Sequence, residues 1–364
     1  VTKKNIYRII DNLLKLILSV FLSASLILNI FILPSVFNYF PWITEISSSF
    51  LPYYLILNIL TLFFSLIYYL KERKETAKKI HKTVILKGVI YSLSIILSIN
   101  LIHGFLETTQ YLSQRGLTSH NVKTATESLK IASFNKWLNN ENYSQIASQV
   151  KTVNPDLLIL IEHRNDPSGE DKFWSYIQNL YDYRYITDCR EMDMNYDYCL
   201  NYFGGWAIYS KKPFQANSYV IGDRFIEFNL NYNNHQIKVF TVHFTAPTTP
   251  KSLNSRKKQE DGLQEKLDRL NLDEQKVIVL GDFNRSPWSG SYKKFKFENK
   301  YLYDTSRIEN KLVFTWCFEG YHYPDFLCSQ LDYIYTSAKF TTEDFSVIKF
   351  EGSDHHLIYA ELSF

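Results

Sequence analysis

Three long apolar runs crowd into the first 106 residues of this 364-residue chain, and nothing else in it limits the fold so strongly. They are expected to span about 10–33, 51–70 and 83–105. Their centres, Leu16–Leu33 and Leu51–Leu70, carry no charge, and the third run holds only Lys87, near its start, where its stem reaches the interface. A bilayer's hydrocarbon is about 30 Å thick and takes about 20 apolar residues to cross. Core helices of soluble domains keep a polar face, which these runs lack. The pattern therefore predicts a membrane domain of three transmembrane helices over 1–106. A cleaved signal peptide in place of the first span is the alternative, and it leaves the rest of the chain on the same side.

Basic residues set the orientation. Lys3, Lys4 and Arg8 precede the first run, and Lys71, Arg73, Lys74, Lys78, Lys79 and Lys82 fill the second connection. The first connection, Pro34 to Phe50, has neither Lys nor Arg. By the positive-inside rule the N-terminus and second connection are cytoplasmic, and everything after the third span lies outside the cytoplasm, on a multi-pass cell-membrane protein. Of 40 basic and 37 acidic residues, 11 and 4 fall in 1–106, which leaves 29 and 33 for the remainder. The outer part thus has no excess positive field for a polyanion, and nucleic acid is not the favoured partner. Its four cysteines, Cys189, Cys199, Cys317 and Cys328, suit an oxidising side. Cys189–Cys199 with Cys317–Cys328 is the local pairing, and the other pairings and free thiols stay open. No C-x-x-C occurs, which argues against a zinc site.

Residues 107–128 are polar and aperiodic and read as a linker to a catalytic domain over 129–364. There Leu129–Asn135 alternates like a strand, 140–153 suits an amphipathic helix, and Leu157–Ile161 is a buried strand ending on Glu162. Gly205–Ser210 is another strand. Ile226–Tyr232 and Gln236–Thr241 form a hairpin across Asn233-Asn234, and the latter strand runs into His243. A charged helix covers 252–270, with Arg256-Lys257-Lys258 on a solvated face or, alternatively, a basic patch. Val277–Leu280, Leu331–Tyr335 and Leu357–Leu362 are later strands. Many strands with few helices between them imply two packed sheets with helices outside.

Polar residues gather at the strand ends: Asn135, Glu162, His243, Asp282 with Asn284, and Asp354 with His355, while Asp332 falls within a strand. One such residue is turn chemistry; eight imply a cleft at one edge of a sandwich. The set Phe134-Asn135, Ile161-Glu162, Val242-His243, Gly281-Asp282-Phe283-Asn284, Leu331-Asp332-Tyr333 and Ser353-Asp354-His355 resembles the endonuclease/exonuclease/phosphatase (DNase I-like) superfamily. The likeness covers about 129–364 and implies a four-layer α/β sandwich. Ser286-Pro287-Trp288-Ser289 is similar to a turn in a membrane-anchored bacterial branch. In that branch a few spans precede an extracytoplasmic catalytic domain, and some members dephosphorylate lipid-carrier pyrophosphates.

The resemblance also implies roles. Phosphate repels a nucleophile, and a hard cation with oxygen ligands, Mg²⁺ or alternatively Mn²⁺, offsets its charge. Asn135, Glu162 and Asp354 would stand at the metal. Asp282 would activate water, Asn284 would hold a phosphate oxygen, and His355 paired with Asp332 would contact phosphate or move a proton. His243 would aid the leaving group. Two departures stand out. Trp137 occupies a position where the abasic-site enzymes carry an acid, and Ile186–Asn201 is an acidic, insertion-like loop. The expected function is a metal-dependent phosphoric-ester or pyrophosphate hydrolase at the bilayer, acting on a phosphorylated, lipid-linked substrate. An extracytoplasmic endonuclease or sphingomyelinase-like phosphodiesterase, and a non-catalytic membrane binding module, are the other readings.

Overall fold

The computed structural model describes residues 41–49, 51–75, 127–163, 170–187, 205–220, 224–308, 313–317, 328–350 and 352–364, with scattered positions before 41 and between 75 and 127. The chain divides into two compact units, Val1–Ser113 and Gln114–Phe364. The expected spans at 10–33 and 83–105, scattered positions aside, residues 107–126 of the expected linker, and both Cys189 and Cys199 lie outside the described residues.

In the first unit, α1 covers Pro41–Ser48 and α2 covers Leu51–Glu75. The second expected span is thus helical throughout. Among the described residues no helix is long and apolar enough to cross a membrane. In α2 the leucines are interrupted by Asn58, Thr61, Ser65 and several tyrosines, and the last turn, Lys71 to Glu75, is charged. The helix buries Tyr54, Asn58, Thr61 and Ser65, a polar stripe at helical spacing, and exposes Ile56, Ile59, Phe63, Leu66 and Leu70. Thr61 donates its hydroxyl to Leu57 O at 2.8 Å, and the rings of Phe64 and Phe21 lie 5.3 Å apart.

The second unit contains two six-stranded mixed sheets. The strands that matter to the site are β1 (Ser128–Asn135), β2 (Leu157–His163), β7 (His235–His243), β8 (Val277–Asp282), β12 (Asp332–Ser337) and β14 (Leu357–Ser363). With β3 (Tyr183–Ile186), β4 (Gly205–Ser210), β5 (Phe214–Val220), β6 (Phe225–Tyr232), β9 (Leu302–Asp304) and β13 (Thr341–Ile348) among the other strands, the first sheet has the order β13-β14-β1-β2-β4-β3, and the second β5-β6-β7-β8-β12-β9. Leu129 and Ile131 of β1, Ile159 and Ile161 of β2, and Ile278 and Leu280 of β8 fill the space between the sheets. Their alternate neighbours face outward. Ala132, Phe134, Leu158 and Leu160 pack under α3 (Tyr143–Val153) and the short α4 (Trp174–Ile177). Val277 and Val279 pack with Leu263 and Leu267 of α5 (Pro250–Leu267) and Phe295 of α6 (Gly290–Glu298). Strands buried on both faces read as continuous apolar runs, which is why β2 and β8 are legible in sequence.

Local chemistry sets the boundaries. The helix expected over 140–153 begins at Tyr143 and ends where Asn154 turns left-handed, φ 48°, with its N–H on Val150 O at 2.7 Å. The helix expected over 252–270 is α5, opened two residues earlier by a capping box between Thr249 and Ser252 with Pro250 in the first turn. Asn233 and Asn234 both have positive φ, 47° and 67°, as the two-residue hairpin turn requires. Asp332, expected inside its strand, is the first residue of β12. Cys317 and Cys328 form a disulfide that joins β10 (Trp316–Cys317) to β11 (Cys328–Ser329).

Candidate active site

Gly281 decides the geometry of the second sheet's edge. Its φ is 131°, and a Cβ there would sit 2.2 Å from Val242 O. Only glycine lets β8 lie so close to its parallel neighbour β7. The register then sets Asp282 beside His243 on one flank and opposite Asp332 on the other. Asn284 follows with φ 49°, and its backbone N–H reaches Asp282 Oδ1 at 2.8 Å.

The first sheet supplies Asn135 and Glu162. Glu162 sits where the β2–β4 register shifts between Ile161 and His163, and its φ is 57°. A left-handed residue at a bulge breaks the strand's alternation and re-aims the side chain, and such strain concentrates at functional sites. Asn135 joins the sheets: Nδ2 donates to Glu162 Oε1 at 3.0 Å and to Asp282 Oδ2 at 3.2 Å. Its Oδ1 accepts the N–H of Trp137 at 3.1 Å, and Leu138 N donates to Glu162 Oε2 at 3.0 Å.

The two histidines differ in charge. His355 Nδ1 lies 2.9 Å from Asp332 Oδ2, and Nε2 lies 3.7 Å from Asp282 Oδ2. Burial opposes its protonation, but the carboxylates of Asp332 and Asp282 overcome that and hold it well above the usual histidine value. His243 Nε2 lies 3.5 Å from Glu162 Oε1 and 3.9 Å from Asp282 Oδ2. Burial, reinforced by Arg224 and His355, holds it well below the usual value, so it is neutral. Burial also raises Glu162 and Asp282, against the opposing charge of His355. A proton acceptor and a charged donor therefore stand side by side, as acid–base chemistry requires.

The loop that carries His355 is tied down at each residue. Ser353 donates its hydroxyl to Asn135 O at 2.8 Å and accepts the N–H of His355 at 3.0 Å. Asp354 Oδ2 accepts Trp316 Nε1 at 2.9 Å, and Cys317 N donates to Asp354 O at 2.8 Å. Thr315 Oγ1 receives the N–H groups of Leu331 and Asp332.

All eight sequence-derived residues thus lie in one linked cluster, and some sit in unexpected company. Asn284 Nδ2 donates to Phe244 O at 2.8 Å and to Asp282 Oδ2 at 3.1 Å, so its amide hydrogens bond protein groups rather than project for a phosphate. The group best placed to surround a cation is Asp282, Asp332 and His355, whose ligand atoms lie within 4.8 Å of one another. Asp332 Oδ1 is buried and accepts no hydrogen bond among the described residues. Together with Glu162 these carboxylates are the hard oxygen donors that a divalent cation of the Mg²⁺ type prefers. His355 is already held between two carboxylates and suits proton work better than ligation.

Sequence reasoning missed Trp316, Thr315 and Arg256. Trp316 and Thr315 carry no local signal. Arg256 is fully buried, neither on a solvated face nor in a basic patch. Its Nη1 donates to Asn284 O at 2.7 Å, and Glu260 lies 3.5 Å from its Nε and 3.6 Å from Arg285 Nη1. The signal was its spacing, on the helical face of Leu253, Leu263 and Leu267.

Two facing sheets with carboxylates, an amide and an Asp–His pair at one rim define the class of enzymes that cleave phosphoester bonds. Residues 119–355 match the Endonuclease/Exonuclease/phosphatase family, and the chain belongs to it. No curated protein sequence matches the chain. Among solved structures it is similar to an endonuclease/exonuclease/phosphatase from Beutenbergia cavernae DSM 12333, with 15% identity, a TM-score of 0.50, and coverage of 65% of this chain and 72% of that one. An endonuclease/exonuclease/phosphatase family protein from Leptotrichia buccalis C-1013-b is 17% identical, with a TM-score of 0.49 and coverage of 65% and 100%. The human nocturnin catalytic domain with bound sulfate anion is 16% identical, with a TM-score of 0.49 and coverage of 66% and 96%. At 15% identity the likeness to the Beutenbergia cavernae protein is one of fold.

Proposed function

We propose that the chain is a membrane-anchored, Mg²⁺-dependent hydrolase of a phosphoric ester or pyrophosphate, with its catalytic domain outside the cytoplasm and a lipid-linked phosphate as substrate. The observation that carries the chemistry is the contact set in which Asn135 bridges Glu162 and Asp282 while His355 bridges Asp282 and Asp332. Glu162, Asp282 and Asp332 would hold the cation, with Asn135 orienting two of them and Asp354 adding negative charge beside Glu162. When bound, the metal supplies charge that offsets the anionic phosphate. Asp282 orients the attacking water and accepts its proton. Asn284 braces Asp282. His355, charged and fixed by Asp332, lies against the phosphate oxygens. Neutral His243 offers an N–H at the leaving-group side.

Membrane anchoring is supported by α2, which buries its polar stripe and exposes its apolar side chains, the reverse of a water-soluble helix. The clustering of basic residues around the first and second runs supports the orientation. A tether confines enzyme and lipid substrate to one surface and raises their effective concentration. The acidic balance of the outer part makes a nucleic-acid substrate the weaker reading.

The test is phosphate release from an isoprenyl diphosphate by the whole chain in detergent micelles with Mg²⁺, with EDTA and Asp282→Asn as controls. Release lost in both controls is the expected result. Absence of release by the unaltered protein overturns the lipid-pyrophosphate assignment and moves the search to phosphodiesters.

A further inference from the structure

Trp137 is a bulky residue in a conformation that bulky residues avoid. Its φ is 61°, and the residue is 48% exposed. Its backbone belongs to the site: its N–H is on Asn135 Oδ1, and the next N–H, of Leu138, is on Glu162. The loop is held from within by a buried cation. Lys136 is fully buried, and its ammonium donates to Trp137 O at 3.2 Å, Leu138 O at 3.3 Å and Asn140 O at 3.1 Å. An ammonium has three donors, and three carbonyls of one loop receive them. A buried charge persists only when it is satisfied in this way, so the loop has one shape. Gly352 closes the other side, where a Cβ would meet the Asn140 side chain at 3.3 Å. The result is a tied-down loop that buries Leu138 and Asn140 and leaves Trp137 exposed, its own backbone N–H and that of Leu138 held by the Asn135 and Glu162 side chains of the site.

We propose that Trp137 is a substrate-recognition residue whose indole forms the rim on which the apolar chain next to the phosphate rests. The claim rests on the lipid-linked reading above and names the side chain that reads the lipid. An indole offers a broad apolar face with one polar edge, suited to the junction between a hydrocarbon chain and a wet phosphate. A nucleobase would also stack on it, but the outer part, with 29 basic and 33 acidic residues, lacks the positive field that brings a polyanion close.

The test compares the whole chain in micelles with its Trp137→Ala and Trp137→Phe variants. The readout is the ratio of kcat/KM for geranyl diphosphate to kcat/KM for inorganic pyrophosphate. The ratio should fall at least tenfold in Trp137→Ala, mainly through KM, and stay within about threefold in Trp137→Phe. An unchanged ratio in Trp137→Ala overturns the proposal while leaving the hydrolase assignment intact. If the unaltered protein cleaves neither compound, the function is wrong, and calorimetric binding of geranyl diphosphate decides the role of Trp137. A tenfold weaker Kd in Trp137→Ala then supports it. Equal affinity, or no binding by the unaltered protein, overturns it.

Discussion

Asn135 and Asp282 meet across the two sheets, the amide Nδ2 of one 3.2 Å from the carboxylate Oδ2 of the other. Residues 147 apart in the chain are joined by one hydrogen bond, and the same amide nitrogen also reaches Glu162. Without it two buried carboxylates lose their shared donor. Asn135→Ala should lower turnover at least 100-fold and destabilise the fold by about 1–3 kcal/mol. Steady-state kinetics and urea denaturation check both, and full activity would show that the bridge is not needed.

The Asp332–His355 pair makes a separate prediction. Asp332→Asn keeps the shape but removes the negative charge that keeps His355 protonated. Turnover should fall by roughly 10²–10⁴, the usual range for general acid–base groups. The far-ultraviolet spectrum should not change. Activity within threefold of the unaltered protein would remove the pair from the mechanism.

Arg256 tests the support beneath Asn284. Arg256→Met removes the guanidinium from Asn284 O and from Glu260, which faces both buried arginines. Taking one partner from a buried ionic group typically costs about 3 kcal/mol. Denaturant midpoints should fall accordingly, and kcat should drop more than KM rises, because the fault lies in the placement of Asp282.

Lys296 offers a pH test away from the site. Burial, aided by Arg307 and Arg285 and opposed by Asp304, lowers its ammonium to about 8. In the unfolded chain it titrates near 10.4. Between about pH 8 and 10.4 the unfolded state binds more protons, so this group makes the fold more stable as pH rises through that window. Below it the half-buried charge is a standing penalty. Lys296→Met should therefore stabilise the protein at pH 7.5, and its advantage should shrink by pH 9.5. A constant difference between the two denaturation curves would refute this.

The Cys317–Cys328 disulfide closes a short loop and anchors Trp316, which holds Asp354. Reduction should destabilise the catalytic unit by roughly 2–3 kcal/mol. Thermal melts with and without a thiol reductant measure it.

How much of this was readable beforehand follows from the range of each interaction. Buried strands such as Leu157–Ile161 and Val277–Leu280, the Asn233-Asn234 hairpin and α3 are written in short-range periodicity and turn chemistry, and they were legible. The candidate residues were legible as types at strand ends, since polar groups closing apolar runs stand out. Their partners were not. That Asn135 touches Asp282, that Asn284 turns its amide inward, and that Asp332 opens its strand depend on the register between β7, β8 and β12 and on the approach of one sheet to the other. Arg256 looked like a solvated charge because a helix's charged residues usually are. Only the packing of α5 on the outer face of the second sheet put it under Asn284. Trp137 was visible as a departure, but its left-handed backbone accompanies the contacts of Lys136, whose three carbonyl partners exist only once the loop has closed. Local pattern is encoded by neighbours along the chain, whereas these pairings require long-range contacts that no window of sequence contains.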